Sequence, residues 1–157
     1  MNKILAGTTG NGIEVFWDPE DPHMLAHPEV TPKWIEEVLE KVSYKPPFFM
    51  EEIEMGKTMG KSACVSVTEK DDVRWEKRPG RDIESPVVYG REAEETTIAT
   101  IGICTDRDDG VVTVFTAFAG EKAPKEPNDP YLRPEEKEES EKFWSSHALV
   151  KLWFLWI

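Results

Sequence analysis

Two long apolar segments near the middle of the sequence restrict the fold more than any other feature. They read TTIATIGICT (96–105) and GVVTVFTAFAG (110–120), and the DRDDG between them has the Asp and Gly residues typical of a hairpin turn. Apolar side chains occupy both alternating sets of positions, so both faces of these strands are expected to be covered. The pattern predicts a β-hairpin at the centre of an antiparallel sheet, with helices packed on one face.

Two helices are predicted, one before and one after the strand-rich region. Thr31 suits the N-cap of the first helix and Pro32 its first turn. Apolar residues then recur at helical spacing, at Trp34, Ile35, Val38, Leu39 and Val42. The second helix is predicted to begin at Pro134, and its spacing places His147 on the same face as two aromatic residues.

The 157-residue chain has room for one domain, and a single domain is predicted. Short strands are predicted between residues 47 and 120, so the expected fold class is α+β: an N-terminal helix, a central antiparallel sheet of four to six strands, and a C-terminal helix. Residues 1–30 are predicted to form an extended arm and residues 121–134 a Pro-rich loop. The apolar tail, 151–157, is predicted to pack in the core or to join two copies as a homodimer.

Composition and charge restrict the class of protein. The formal net charge of −12 comes from 31 acidic and 19 basic side chains and opposes non-specific attraction to nucleic acid. Cys64 and Cys104 lie in apolar runs without Cys-x-x-Cys spacing, as expected for buried thiols in a reducing cytosol. The first residues lack the apolar region of a signal peptide, and the apolar end is too short to cross a bilayer. We therefore expect a cytoplasmic protein with no membrane contact, no metal and no cofactor.

The sequence contains three histidines, His23, His27 and His147. His27 lies just before the first predicted helix, whose N-terminus favours an anionic phosphate. The alternative is a solvated loop histidine that helps to fix the start of the helix. Acidic residues of DPEDPHMLAHPEV could also join His23 and His27 around a divalent metal, but Asp-Pro pairs mark turns wherever they occur.

Basic residues are concentrated in VRWEKRPGRDIESPVVYGRE (73–92). Arg78 and Arg81 flank a Pro-Gly turn and are predicted to project from the end of a strand, where their guanidinium groups could hold a phosphate. The alternative is that the arginines pair with the many nearby carboxylates. Side-chain alternation predicts that Thr113 and Thr116 point to opposite faces of their strand, and either can be present for β propensity alone.

Three blocks of sequence resemble a family of small uncharacterised prokaryotic proteins. The blocks are GKTMGKSACVSVTEKDDVRWEKRPGR, VVTVFTAFAGEKAPKEPNDP and EKFWSSHALV, and the resemblance covers about residues 56–150. By this resemblance, four residues fall on family motif positions: Arg78, Arg81, Thr116 and His147. The layout of a helix followed by antiparallel strands is similar to that of the barnase, EndoU, colicin and RelE-like ribonuclease toxins. Members of that family tend to carry a basic residue where this chain has Pro86 or its neighbour, so the sequence departs from the family pattern there.

Two functions are predicted from these features. The first is a metal-independent, toxin-like RNA endonuclease that cleaves through attack of the ribose 2′-hydroxyl, with catalysis by His27, His147, Arg78, Arg81 and Thr116. Its substrate contacts are assigned to Lys57, Arg74 and Arg91. The second is a non-catalytic acidic protein-binding module, antitoxin-like or phage-encoded, whose surface binds a basic partner.

Overall fold

A computed structural model describes residues 3–78 and 81–151 of the chain. The protein is mostly β, with 39% of its residues in strands and 16% in helices. The strands are β1 (Ile4–Thr8), β2 (Glu14–Trp17), β3 (Phe48–Glu54), β4 (Gly60–Ser62), β5 (Cys64–Ser66), β6 (Asp72–Lys77), β7 (Glu84–Tyr89), β8 (Glu94–Thr96), β9 (Ile98–Thr105), β10 (Val112–Ala119) and β11 (His147–Val150). The α-helices are α1 (Pro22–Leu25), α2 (Pro32–Leu39) and α3 (Lys137–Trp144). A 3₁₀ turn at Pro134–Glu136 comes directly before α3.

The chain folds into two compact units. The first comprises the described residues among 3–61 and 95–122, and the second comprises those among 62–94 and 123–151. Each unit has its own sheet and its own buried apolar cluster. The single domain remains a prediction, and residues 152–157, to which a homodimer contact was assigned, lie outside the described residues.

The first unit contains a five-stranded sheet in the order β1-β2-β10-β9-β3. Strand β9 pairs antiparallel with β10 on one side and with β3 on the other, which confirms the central hairpin predicted from the sequence. The turn of this hairpin is held by Asp106, whose carboxylate accepts hydrogen bonds from the amides of Asp108 and Asp109. Gly110 closes the turn with a φ of +71°, a backbone conformation that favours glycine.

Helix α2 covers one face of this sheet. The Thr31 side chain accepts a hydrogen bond from the Trp34 amide, and Pro32 follows at the first helical position, so the predicted start of the helix is confirmed. The buried stripe of the helix packs with the central strands, and its members are Trp34, Ile35, Val38 and Leu39. The Trp34 indole donates a hydrogen bond to the Met59 carbonyl at 2.8 Å, which satisfies its buried N–H.

The second unit contains a four-stranded sheet in the order β5-β11-β7-β6. Helix α3 ends at Trp144, and β11 begins at His147 after two intervening residues. Strand β11 pairs antiparallel with β5 and parallel with β7. Trp144 packs with Val65, Val88 and Leu149 in the apolar cluster of this unit. The C-terminal segment therefore supplies a central strand.

The predicted α+β layout, with an N-terminal helix, one central antiparallel sheet and a C-terminal helix, is wrong. The predicted strands are divided among three sheets, and a third, two-stranded sheet pairs β4 with β8. Helical spacing placed His147 on a helix, but His147 lies on β11 and is paired with Ser66 of β5. The layout on which the likeness to the ribonuclease toxins rested is therefore absent.

None of the helices within residues 3–78 and 81–151 has the length and apolar character that a membrane span requires.

Candidate functional site

Two histidines of the first unit lie beside strand β10. Strand β2 pairs in parallel with β10 at Phe16 and Thr113, and the chain then turns into α1, which contacts β10 further along its length. The Asp21 side chain caps α1 by accepting a hydrogen bond from the His23 amide at 2.8 Å. This cap fixes the first turn of the helix and places the His23 side chain against the sheet.

His23 shares a hydrogen bond with Thr116. The distance from His23 Nε2 to Thr116 Oγ1 is 3.0 Å. Thr116 is 8% exposed, whereas the His23 ring lies at the surface. The hydroxyl is therefore a fixed partner for an imidazole that solvent or a ligand can reach.

A β-bulge in β10 orients Thr116. The pairing of β10 with β9 shifts between Val114 and Thr116, so Thr113 is opposite Cys104 and Thr116 is opposite Gly102. Cys104 and Gly102 are two residues apart on β9 and share a face, so Thr113 and Thr116 share that face as well. The predicted opposite orientation of the two threonines is wrong, because the bulge adds one residue to the alternation.

His27 lies next to His23 in a more enclosed position. The two ring centroids are 5.9 Å apart, and the His27 ring also lies 5.6 Å from that of Phe118. Burial lowers the pKa of His27, the positive charge of His23 acts in the same direction, and Glu29 opposes both. The neutral imidazole is therefore favoured at this position.

Glu29 lies beside the Nδ1 atom of His27. Its Oε2 atom lies 3.9 Å from His27 Nδ1 and accepts a hydrogen bond from the Ala119 amide at 2.9 Å. The carboxylate thus links the histidine to the end of β10. We call His23, His27, Glu29 and Thr116 the histidine cluster.

The acidic residues before the cluster form turns. Asp18 accepts a hydrogen bond from the Glu20 amide, and Asp21 caps α1. Across residues 3–78 and 81–151, no three His, Cys, Asp or Glu side chains converge as metal ligands would. The segment has the local turn role that Asp-Pro pairs commonly take.

His147 belongs to the second unit, at the start of β11. Its ring stacks on Phe143 with centroids 4.0 Å apart and planes at 2°. Its Nδ1 atom lies 2.9 Å from the Phe143 carbonyl oxygen and 3.1 Å from Ser146 Oγ. Through these contacts His147 links the end of α3 to the start of β11.

Arg78 is part of an ion pair in the second unit. Its Nε atom lies 3.0 Å from Glu126 Oε2 and donates a hydrogen bond to Ser85 Oγ at 2.8 Å, while the Ser85 hydroxyl donates to Glu126. Glu126 is 4% exposed. Burial lowers the pKa of Arg78, and Glu126 opposes that effect. The guanidinium group therefore has a built-in carboxylate partner.

Other basic candidates also bind carboxylates of the chain. Arg74 pairs with Asp72, Arg91 with Asp71 and Glu94, and Lys57 with Glu37. Arg81 is exposed, and its amide donates to the Arg78 carbonyl in the turn between β6 and β7. Pairing with nearby carboxylates was the alternative that the sequence left open for the arginines.

The structure brings together two of the five predicted catalytic residues, His27 and Thr116. Arg78, Arg81 and His147 belong to the other unit. His23, which links His27 to Thr116, was considered only as a metal ligand. The available signal was its place four residues before His27 in the segment DPEDPHMLAHPEV.

Comparison with known proteins gives no match to any family model, to any curated protein or to any solved structure.

Proposed function

We propose that this protein is a metal-independent endonuclease that cleaves RNA through attack of the ribose 2′-hydroxyl, and that the histidine cluster is its catalytic site. One observation carries the proposal: two imidazoles lie 5.9 Å apart, and one of them is hydrogen-bonded to a nearly buried hydroxyl. Cleavage of this type requires one group that accepts a proton and another that donates one, on opposite sides of the phosphate.

The two histidines differ in ways that suit these roles. The lowered pKa of His27 favours a neutral ring, which can take the proton from the 2′-hydroxyl. The 2′-oxygen then forms a bond to phosphorus as the bond from phosphorus to the 5′-oxygen breaks. His23, in its imidazolium form, gives a proton to that leaving oxygen. The products are a 2′,3′-cyclic phosphate and a 5′-hydroxyl, and water can open the cyclic phosphate with the two roles reversed.

Thr116 is a positioning residue in this proposal. Its hydroxyl is fixed on the sheet and holds the exposed His23 ring in one orientation. The imidazolium supplies the positive charge at the phosphate, since Arg78 is occupied by Glu126. We place the activity in the cytoplasm, the compartment that the sequence predicts.

The test is cleavage of a fluorescent single-stranded RNA by purified protein in the presence of a chelator. Cleavage should persist with chelator and should leave a 2′,3′-cyclic phosphate that mass spectrometry detects. A linkage whose ribose is replaced by 2′-deoxyribose should not be cleaved, because it lacks the attacking hydroxyl. His23→Ala and His27→Gln should each lower the rate by about 10²- to 10⁴-fold. His147→Ala, purified in parallel, is the matched control and should cleave at the parent rate.

Parent-like cleavage by both cluster variants would assign the activity to another site or to a contaminant, and the proposal would be withdrawn. Circular dichroism of each variant checks that it has folded. Loss of cleavage on chelation would contradict the metal-independent reaction.

A second candidate function is the acidic protein-binding module. The observation that favours it is that Arg74, Arg78 and Arg91 are all bound to carboxylates of the same chain. With a formal charge of −12, the chain keeps an excess of carboxylates that attracts basic proteins. Absence of cleavage by the parent protein, together with salt-sensitive binding of a basic protein, would favour this candidate.

A further inference from the structure

An open groove of about 530 Å³ lies on the second unit, and neither the proposed cleavage reaction nor the ion pair at Arg78 uses it. One wall is strand β6 with the turn before it, and the other is the last turn of α3. The volume lies within the range of roughly 300–1,000 Å³ that is common for ligand sites. A groove of this size can hold a short extended segment of peptide.

Two tryptophans give the groove its aromatic character. Trp144 is buried, and its indole N–H donates to the Pro124 carbonyl at 3.1 Å, so its position is fixed. Trp75 lies on β6 and is 47% exposed, which is unusual for a side chain of this size. A ligand that covers Trp75 would remove a large apolar surface from water.

Carboxylates surround these rings. The charged residues in the lining are Glu69, Asp71 and Glu141, and the described lining includes no basic side chain. Asp71 is partly neutralised by Arg91, whose Nη1 atom lies 3.1 Å from its carboxylate. Glu69 and Glu141 are exposed, and Lys137 lies 3.9 Å from Glu141 at the surface. The groove therefore offers a net negative charge beside an exposed indole.

The backbone next to the groove can bind a peptide as well. Among the described strands, β6 pairs only with β7 and lies at the edge of its sheet. An edge strand has backbone N–H and C=O groups that can pair with an added strand. The edge, the exposed indole and two of the carboxylates, Glu69 and Asp71, lie on one short stretch of chain, and Glu141 faces them from α3.

We propose that this groove binds an extended segment of a partner protein through an arginine or lysine side chain. The cation lies against the face of Trp75 and pairs with Glu69 or Glu141. Arginine suits the site better than lysine, because its planar guanidinium stacks on an indole and also binds a carboxylate. The inference rests on the protein-binding candidate, for which it names the place and the chemistry of the partner.

The probe is a short peptide, acetyl-Gly-Arg-Val-Arg-Gly-amide, titrated into the full chain. Its control has citrulline at both arginine positions, which keeps the shape and removes the charge. Binding is followed by NMR at the Trp75 indole and by calorimetry, at low and at physiological salt. We expect the arginine peptide to shift the Trp75 signal, and the citrulline peptide to bind at least roughly tenfold more weakly.

Three variants locate the binding. Trp75→Ala should weaken binding roughly tenfold, while Tyr131→Ala, which changes an 80% exposed aromatic residue outside the groove, should have no effect. The double variant Glu69→Gln/Glu141→Gln should weaken binding and reduce its dependence on salt. Glu138→Gln/Glu139→Gln, on the exposed part of α3, is the control of equal charge.

The outcomes separate the groove from the two candidate functions. Equal binding by Trp75→Ala and the parent would overturn the groove and leave binding elsewhere on the acidic surface. No binding at peptide concentrations up to about 5 mM would remove the groove, and the protein-binding candidate would then be decided by its own test with a basic protein. Saturable binding of RNA at Trp75 would also overturn the inference. The RNA cleavage rate of Trp75→Ala should equal that of the parent, so the cleavage proposal stands or falls separately.

Discussion

Thr116 Oγ1 lies 3.0 Å from His23 Nε2, although 93 positions in the sequence separate the two residues. The hydroxyl comes from the central hairpin of the first unit, and the imidazole comes from the first turn of α1. This hydrogen bond thus connects α1 to the sheet beside His27. It is the contact on which the proposed catalytic site depends.

Replacement of Thr116 by Val should remove this hydrogen bond and keep the side-chain shape. We expect a loss of about 0.5–1.5 kcal/mol in the free energy of unfolding, since the exposed His23 ring can bind water instead. The NMR signals of the His23 ring should change at the same time. Thr113→Val, on the same face of β10, is the control, and identical effects of both variants on the His23 signals would contradict the specific bond.

Substitution of Gly102 should disturb the same site from the neighbouring strand. A Cβ atom at this position would lie 2.5 Å from Phe115 Cζ and 2.7 Å from Thr116 Cγ2. Gly102→Ala should therefore destabilise the protein by about 1–3 kcal/mol and should also lower RNA cleavage. Urea unfolding measures the loss.

The double variant Gly102→Ala/Phe115→Ala tests the cause. It removes one of the two clashes and should recover part of the stability that Gly102→Ala loses. If the two losses simply add, the side chains at positions 102 and 115 do not interact, and the steric explanation is incorrect.

The stability of the protein should depend on pH through His27. Its pKa is lowered in the folded state, chiefly by burial, from an ordinary value of 6.5. Below pH 6.5 the unfolded chain takes up a proton that the folded protein does not, so the free energy of unfolding should fall as the pH decreases. The decrease should end below the pKa of the folded state. His27→Gln should remove this contribution, and an NMR titration that places the His27 pKa above 6.5 would contradict the argument.

The activity should follow the same group. If neutral His27 accepts the 2′-hydroxyl proton, the acid limb of kcat/KM reports its pKa in the free enzyme and should lie below pH 6.5. A rate that changes in parallel with the NMR titration of His27 would assign the base. An acid limb that persists in Glu29→Gln but moves downward would agree with the opposing effect of Glu29 on this pKa.

Local patterns predicted the parts of the fold that depend on neighbouring residues. The Thr31 cap, the Pro32 start and the turn at Asp106 each rest on a few consecutive side chains, and the structure has all three. His147 pairs with β5, and the rest of β11 also pairs with β7; both strands lie far away in the sequence, so helical spacing alone gave the wrong element. Local propensity is a weak guide where distant strands compete for the same segment.

The candidate site shows the same limit. The side chain of Thr116 was identified, but its direction depends on a bulge whose extra residue fits above Gly102. Alternation along β10 cannot reveal such a bulge, because the space for the extra residue comes from Gly102, which belongs to the partner strand β9 and has no side chain. The roles of Arg78 and Arg91 likewise depended on carboxylates that only the tertiary structure places beside them.

The Arg78–Glu126 pair should act in stability and not in RNA cleavage. Glu126→Gln removes the carboxylate that lies 3.0 Å from a guanidinium group only 17% exposed, so we expect a loss of about 1–3 kcal/mol in the free energy of unfolding. Arg78→Met/Glu126→Leu removes both charges and should be more stable than Glu126→Gln. Asp72→Asn, which breaks the exposed pair with Arg74, is the control and should have no measurable effect.

Urea unfolding compares the variants, and the RNA cleavage rate of folded Arg78→Met/Glu126→Leu should equal that of the parent. A specific loss of cleavage in this folded double variant would instead return Arg78 to the catalytic site that the sequence predicted.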